Sequence, residues 1–491
     1  MTIKLILKDE VNIKLEGLSV MYRKDLHNKF KYVIPHAKYS PAYKLGRWDG
    51  TISLFSMNGD GFMSQLDRIL QYLDQHKIID IDIEDHRKVY DLTFKPVTEQ
   101  FWSDHGITWP DSHQHAGKPI VLRDYQVEAI NKFLKTPQSL QELATSSGKT
   151  IITATLAKCV ESLGRTITIV PNKSLIEQTA EDFRNVQLDV GVYYGDKKEL
   201  GKTHTICTWQ SLEILNKKSK KNIGDEYILV DFLKNVKTVI VDECHRADAT
   251  VLRNLLTKQL ANAPIRWGLT GTIPKEEHSY ESIHASIGPM FKTIEAHVLQ
   301  ERGVLSNCHV NILQMIDTKS FLQYSSELTY LTTTPERLEY IANIIIDIAK
   351  NGNTFILVDR IKSGDMLTQI LKNKGIEAVF VSGSVKTKTR KQQYDDINLA
   401  DNKVVIATYG VASTGINIPR IFNLVLIEPG KSFTRVIQSI GRGLRKAHDK
   451  DSVAIYDFSS TCKFSKRHLT QRKQFYRQAK YPFSIKKLDW E

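Results

Sequence analysis

The stretch Ser146-Ser147-Gly148-Lys149-Thr150 carries residue types and spacing suited to holding phosphate. It follows a short apolar segment, Leu140–Ala144, and opens a helical pattern at Ile151. Strand, loop, helix is the context that a phosphate-binding loop requires. Backbone amides at the turn and the helix N-terminus would cradle phosphate oxygens. Lys149 would reach the outer phosphates of a nucleotide, and Thr150 would hold Mg²⁺. Gly148 would let the backbone approach closely. The motif's usual glycine at 143 is replaced by Leu143, and Ser146 and Ser147 stand for further small residues.

A second constellation follows. The apolar run Val239–Val241 ends in Asp242-Glu243-Cys244-His245. Asp242 could bind Mg²⁺ through water, and Glu243 could orient and deprotonate an attacking water. Carboxylates after a strand are common on protein surfaces; beside a phosphate loop they read as its catalytic partners. Thr270-Gly271-Thr272 ends another apolar run, where hydroxyls could sense loss of a phosphate or simply cap a turn. Upstream, Arg123-Asp124-Tyr125-Gln126 offers an amide, Gln126, able to read an adenine edge. Late in the chain, Gln438 to Arg445 contains Arg442 and Arg445, three apart and therefore on one helix face. Facing a terminal phosphate they would act as arginine fingers; arginine pairs alone are more often salt-bridged at a surface.

The elements that must position these groups are short apolar strands alternating with amphipathic helices. Thr166–Val170, Val236–Val241 and Arg266–Leu269 form one series. Thr354–Val358, Ala378–Val381, Val404–Ala407, Leu424–Ile427 and Val453–Tyr456 form a second, with helices near 363–374, 387–399 and 434–445. This alternation predicts parallel sheets covered on both faces, hence two α/β domains in tandem. Residues 1–95 read as a small α/β unit with a hairpin, Ile3–Leu7 and Val11–Leu15, a helix over 62–76 and a strand over Ile78–Ile83. Prolines 96, 110 and 119 then break the pattern. The expected organisation is 1–95, a small nucleic-acid-binding domain; 96–118, a linker; 119–290 and 291–460, the two α/β domains; and 461–491, a basic C-terminal segment.

At 491 residues the chain is long enough for about three domains. Its 41% hydrophobic and 25% charged residues exclude a wholly disordered chain or a rod. Five scattered cysteines with no CxxC pair argue against a zinc or iron–sulfur site and for a reducing compartment. No apolar run approaches membrane-spanning length, so the expected location is the cytoplasm. The net charge of +13 favours polyanion partners. It is uneven: residues 20–47 carry seven Lys/Arg against one acid, with aromatics between, and 463–491 carry nine against two. Both stretches suit a nucleic-acid backbone and would grip duplex or a junction; a solvated face is the plain alternative. Whether 463–491 is a folded element or a tail stays open.

In order and content these motifs resemble those of superfamily 2 helicases and translocases. Arg123 to Gln126 resembles the motif before the phosphate loop; Gly148-Lys149-Thr150 resembles motif I and Asp242 to His245 motif II. Ile169 to Asn172 looks like motif Ia and Thr208 to Ser211 like motif Ib. Thr270 to Thr272 looks like motif III. Ala407-Thr408-Tyr409 through Gly415-Ile416-Asn417 is similar to motif V, with Tyr409 where an acid is often found; Gln438 to Arg445 is similar to motif VI. Tyr43 to Gly50, with Arg47 and Trp48, resembles the segment ahead of the core in recombination helicases of T-even bacteriophages. The resemblance implies two RecA-like domains with ATP and Mg²⁺ between them. It implies ATP contacts from Arg123, Gln126, Ser146, Ser147, Gly148, Lys149, Thr150 and Gly415, with Mg²⁺ on Thr150 and Asp242. Catalytic duties fall to Lys149, Asp242, Glu243, Gln438, Arg442 and Arg445. Nucleic-acid contacts fall to Arg47, Trp48, Asn172, Thr208, Thr270 and Thr408, mostly at phosphates; Trp48 would stack on a base at a branch or else anchor its domain.

The family likeness further implies a monomeric motor acting on branched DNA (D-loops, R-loops with their RNA, stalled forks and Holliday junctions) with 3′→5′ polarity and strand annealing. Two rivals share the motifs: an RNA helicase or remodeller with the same engine, and a non-catalytic DNA-binding scaffold in which Leu143 marks a decayed loop. A nuclease-linked translocase lacks support, since no PD-(D/E)xK-like cluster accompanies the core.

Overall fold

The computed structural model describes residues 3–111, 115–221, 229–245, 250–274, 276–383, 392–393, 396–412 and 418–490. Part of the helix expected near 387–399, and Gly415, lie outside them. The chain divides into two units, Met1–Glu142 with Gly148–Thr293, and Leu143–Ser147 with Ile294–Glu491.

The first unit begins with β1 (Ile3–Leu7) and β2 (Asn12–Glu16), then β3 (Lys31–Val33), β4 (Thr51–Ser53), β5 (Asp60–Phe62) and β6 (Ile81–Asp85). Sheet order is β5-β2-β1-β6, with β2 antiparallel and β6 parallel to β1; β3 and β4 form a separate ribbon. Alternation in β1 buries Ile3, Leu5 and Leu7 on one face. They pack with Ile69 and Leu73 of the helix Leu66–Gln75 and with Ala285 from the helix Glu277–Ile287. Arg68 pairs with Glu281 at 3.2 Å, and Asn12 donates to the Thr257 carbonyl at 2.8 Å. The small sheet is therefore packed on the larger one that follows.

That larger sheet contains β7 (Gln138–Leu143), β8 (Arg165–Val170), β9 (Val190–Tyr194), β10 (Lys197–Lys198), β11 (His204–Thr208), β12 (Val236–Asp242), β13 (Ile265–Thr270) and β14 (Met290–Ile294), in the order β10-β9-β11-β8-β12-β13-β7-β14. From β9 to β7 neighbours run parallel. The proline-marked stretch 96–118 is not a free linker. Trp102 is fully buried and donates to Thr155 Oγ1 at 3.0 Å, and Val97 exchanges two hydrogen bonds with Asn131.

The second unit is a seven-stranded, wholly parallel sheet. Its strands are β15 (Asn307–Met315), β16 (Thr354–Val358), β17 (Ala378–Val381), β18 (Val404–Thr408), β19 (Asn423–Ile427), β20 (Ser452–Ser460) and β21 (Phe483–Leu488), in the order β17-β18-β16-β19-β20-β15-β21. Both units thus have the doubly wound parallel architecture that strand–helix alternation predicts. The described part of the basic C-terminal stretch, 463–490, is folded: a helix, Lys463–Gln478, leads from β20 to β21, which pairs with β15.

Candidate functional site

In parallel α/β sheets ligands sit beyond the carboxyl ends of the strands. Three adjacent strands of the first sheet end together there. Asp242 of β12 stands level with Leu269 of β13, and Thr270 of β13 with Glu142 of β7. The loop after β7 turns through Ser146 at φ +68° and Gly148 at φ +83°, then enters the helix Lys149–Cys159. Two left-handed residues so close to a helix N-terminus make a tight turn of the kind that suits an anion, with the Ser147 amide donating to the Ala144 carbonyl at 3.1 Å inside it. Only glycine takes such a conformation freely; Ser146 bears a cost of about 1–2 kcal/mol. A Cβ at Gly148 would also stand 2.5 Å from Gln126 Nε2. Gln126, buried, is fixed there by accepting from the Arg123 amide at 2.9 Å, while the Arg123 side chain donates to Tyr125 Oη. Leu143 is the last residue of β7 and fully buried, so this departure from the usual motif is a core side chain ahead of the turn.

The carboxylates occupy contrasting settings. Burial raises the Asp242 carboxyl above its ordinary range, the charge of Glu243 raises it further, and Lys149 opposes both. Glu243 has φ +50°, a left-handed backbone that is strained for a residue with a side chain. Its Oε2 lies 3.2 Å from His245 Nδ1, and the same nitrogen lies 3.0 Å from Thr270 Oγ1. Thr270 in turn donates to the Thr272 carbonyl at 2.8 Å. Thr270, expected at nucleic acid, is 1% exposed and meets the Glu243 carboxylate both directly, at 3.5 Å, and through His245. That places it as an internal link rather than a surface contact. His245, part of the motif but given no separate duty by its sequence, touches both partners of that link.

In the second unit the helix Phe433–Gly443 is capped by Ser432, which accepts from the Arg435 amide. Gln438 is buried on it and Arg442 sits in its last turn. Leu143–Ser147 belong to this unit by packing. Ser146 Oγ donates to the Gly441 carbonyl at 3.1 Å and accepts from Arg445 Nε at 3.1 Å. Lys450, 2% exposed, donates to the carbonyls of Pro419, Gly443 and Arg445 at 3.0, 2.6 and 2.8 Å. It thereby clamps the turn that carries the arginines, and burial pulls its ammonium down to about 7. Tyr409 is buried with Arg435 5.4 Å over its ring, and Arg435 donates to Asp359 at 2.8 Å.

The remaining nucleic-acid expectations fall on diverse settings. Arg47 is exposed. Trp48 is half-buried with its indole N–H donating to the Thr51 carbonyl at 2.7 Å. Asn172 caps the helix Lys173–Asn185 by accepting from the Leu175 amide. Thr208 ends β11 against Ser211, and Thr408 ends β18 half-buried.

Comparison with known proteins decides the family. Residues 119–275 match the family described as type III restriction enzyme, res subunit, and residues 336–447 match the helicase conserved C-terminal domain. The chain belongs to the superfamily 2 helicases. It is 24% identical over 472 residues to the ATP-dependent DNA helicase uvsW of Enterobacteria phage T4, covering 92% of this helicase and 89% of that protein. It is 22% identical over 382 residues to the DNA 3′-5′ helicase XPB of Kineococcus radiotolerans, covering 74% and 64%. Among solved structures its fold resembles a fragment of a putative HsdR subunit of a type I restriction enzyme from Vibrio vulnificus, with TM-score 0.57, 18% identity and 79% and 73% of the chains covered.

The helicase is thus an ATP-dependent enzyme. The donor type at its first-unit rim fits a hard divalent cation: the Asp242 carboxylate, which burial and the neighbouring charge of Glu243 disfavour without one. Among the described residues no group of three or more His, Cys, Asp or Glu is placed to hold a metal. Magnesium needs none, since it binds through one or two protein oxygens, waters and substrate phosphates. No helix among the described residues is long and apolar enough to cross a membrane.

Proposed function

We propose that this helicase couples ATP hydrolysis to remodelling of branched DNA: fork regression, Holliday-junction branch migration and unwinding of D-loops and R-loops in recombination, repair and replication. The observation that carries the reading is likeness to a phage DNA helicase over 92% of the chain. In support, the basic stretch 20–47 presents Lys24, Lys29, Lys38, Lys44 and Arg47 to solvent on a small sheet packed against the motor.

In this mechanism the loop amides and Lys149 bind the outer phosphates of ATP, while Arg123 and Gln126 face the base. Thr150 and Asp242 would hold Mg²⁺, which supplies charge neutralisation between the phosphates. Glu243 orients the attacking water and takes its proton, with His245 and Thr270 fixing the carboxylate. Arg442 and Arg445, with Gln438, supply the positive charge that stabilises the transition state. Asn172, Thr208, Thr408 and Arg47 contact DNA phosphates, so sequence is not read.

ATP hydrolysis measured with Mg²⁺ against single-stranded DNA, duplex, Holliday junction and RNA tests the reading, with Glu243→Gln beside the wild type. Stimulation by branched DNA, lost in the variant, supports it. Stimulation by RNA alone assigns the engine to RNA, and no hydrolysis under any condition makes the protein a binder.

A further inference from the structure

The helix Lys463–Gln478 has two unlike faces. Ser465, Leu469, Arg472 and Tyr476 recur at helical spacing and are buried. On the opposite face Lys463, Lys466, Arg467 and Arg477 are exposed, with Lys473 half-exposed at its margin. None of these five cations has an acidic partner among the described residues. Lys463 and Arg477 only overlie Phe464 and Phe483.

The buried face is mounted rigidly. Arg472 donates to both oxygens of Asp457 at 2.9 Å, and Tyr476 donates to the same carboxylate at 2.7 Å. Glu327 accepts from the Phe464 and Ser465 amides at the helix start, and Ser465 donates to Glu428. Every acid that touches this helix is thus used inside, and its outer face keeps only positive charge. The helix starts at the carboxyl end of β20, the rim where parallel sheets place their ligands. On the same helix His468 is held down at about 4, first by burial and then by Arg472, Lys431 and Arg467.

The geometry points to this outer face as a second DNA-binding surface, one that grips the phosphate backbone of duplex beside the motor. The inference deepens the branched-DNA reading and rests on it. A duplex backbone is the fitting occupant for two reasons. Sixteen helical residues span about 24 Å, the length of about seven base pairs at 3.4 Å each. And the helix offers no stacking platform for single-strand bases, because Tyr476 is buried and Phe464 and Phe475 are half-buried. The lysines of β21, Lys486 and Lys487, have another explanation: β21 is an edge strand, and lysine there blocks edge-to-edge pairing.

The test is duplex binding as a function of salt, using the full chain with Lys466→Gln, Arg467→Gln and Lys473→Gln combined. Three lost phosphate contacts should flatten the slope of log Kobs against log[salt] by about 2.7. Affinity near 0.1 M salt should fall at least tenfold, with an unchanged melting temperature showing an intact fold. Lys486→Gln with Lys487→Gln should leave the slope alone. A triple variant that binds duplex with the wild-type slope, or that loses only RNA binding, overturns the inference while DNA-stimulated hydrolysis by the wild type upholds the broader reading. Wild type that binds no duplex overturns both.

Discussion

The two parallel sheets end in very different ways. At the carboxyl rim of the first, two carboxylates crowd each other: Asp242 and Glu243 are adjacent, with Lys149 as the opposing charge. At the corresponding rim of the second, the carboxylates meet buried arginines, although Glu428 shares the left-handed backbone of Glu243 at φ +43°. Arg337, fully buried, donates to Asp317 and Glu428, while Arg472 bridges to Asp457. Trp490 and Ser460 add hydrogen bonds to Asp317. One architecture serves two ends. Crowded carboxylates suit a cationic ligand, whereas carboxylates bonded to buried arginines tie helices to strands.

Breaking each rim should therefore give opposite phenotypes. Glu243→Gln should lower the rate of ATP hydrolysis by about 10²–10⁴-fold, as loss of a general base does, with thermal stability held. A loss of less than tenfold in steady-state assays would remove Glu243 from that role. Arg472→Met should do the reverse. It strands the Asp457 carboxylate in the interior and should cost about 3–5 kcal/mol by chemical denaturation. A fully stable variant would show that the pair is replaceable by apolar packing.

The third prediction concerns pH. Burial raises Glu428 to about 7 from its usual 4.5, against the pull of Arg337. The folded state then holds a proton that the unfolded state releases, so stability falls as pH rises from about 4.5 to 7. The shift corresponds to about 3 kcal/mol at most. Unfolding measured across that window should slope downward, and Glu428→Gln should remove the slope. The smallest effect sharpens the strain at the first rim. Ser146→Gly should gain up to about 1 kcal/mol, because glycine accepts the left-handed turn without penalty. A loss instead would mean that the Ser146 hydroxyl, between Gly441 and Arg445, outweighs the strain.

Much of this was legible in the sequence, and the failures have physical causes. Thr354–Val358 and Ala378–Val381 are read to the residue because a strand buried on both faces is a continuous apolar run. The strands β9 and β11 escape that reading. Val190–Tyr194 is interrupted by Gly191, and β11 begins at His204, a histidine buried beside Glu161. The helix Val20–Lys29 is hidden by its composition, since only Leu26 is buried. Residues 96–118 read as a linker from their prolines, yet Trp102 fills the core, a contact set by Thr155 far along the chain. Thr270 was assigned a surface role by its motif. Only the packing of β12 against β13 shows that its hydroxyl faces His245.

The position of β21 has a consequence for how the molecule is made. β15 is the first strand of its sheet to leave the ribosome, but one of its two neighbours is the last. Until Phe483–Leu488 emerges, β15 carries an open edge along Val310–Met315, flanked by apolar side chains. Parallel pairing between strands so distant in the chain is slow and leaves the nascent unit exposed to aggregation. Deletions or fusions at this strand should therefore be scored first for soluble yield during synthesis, before any loss of activity is ascribed to the motor.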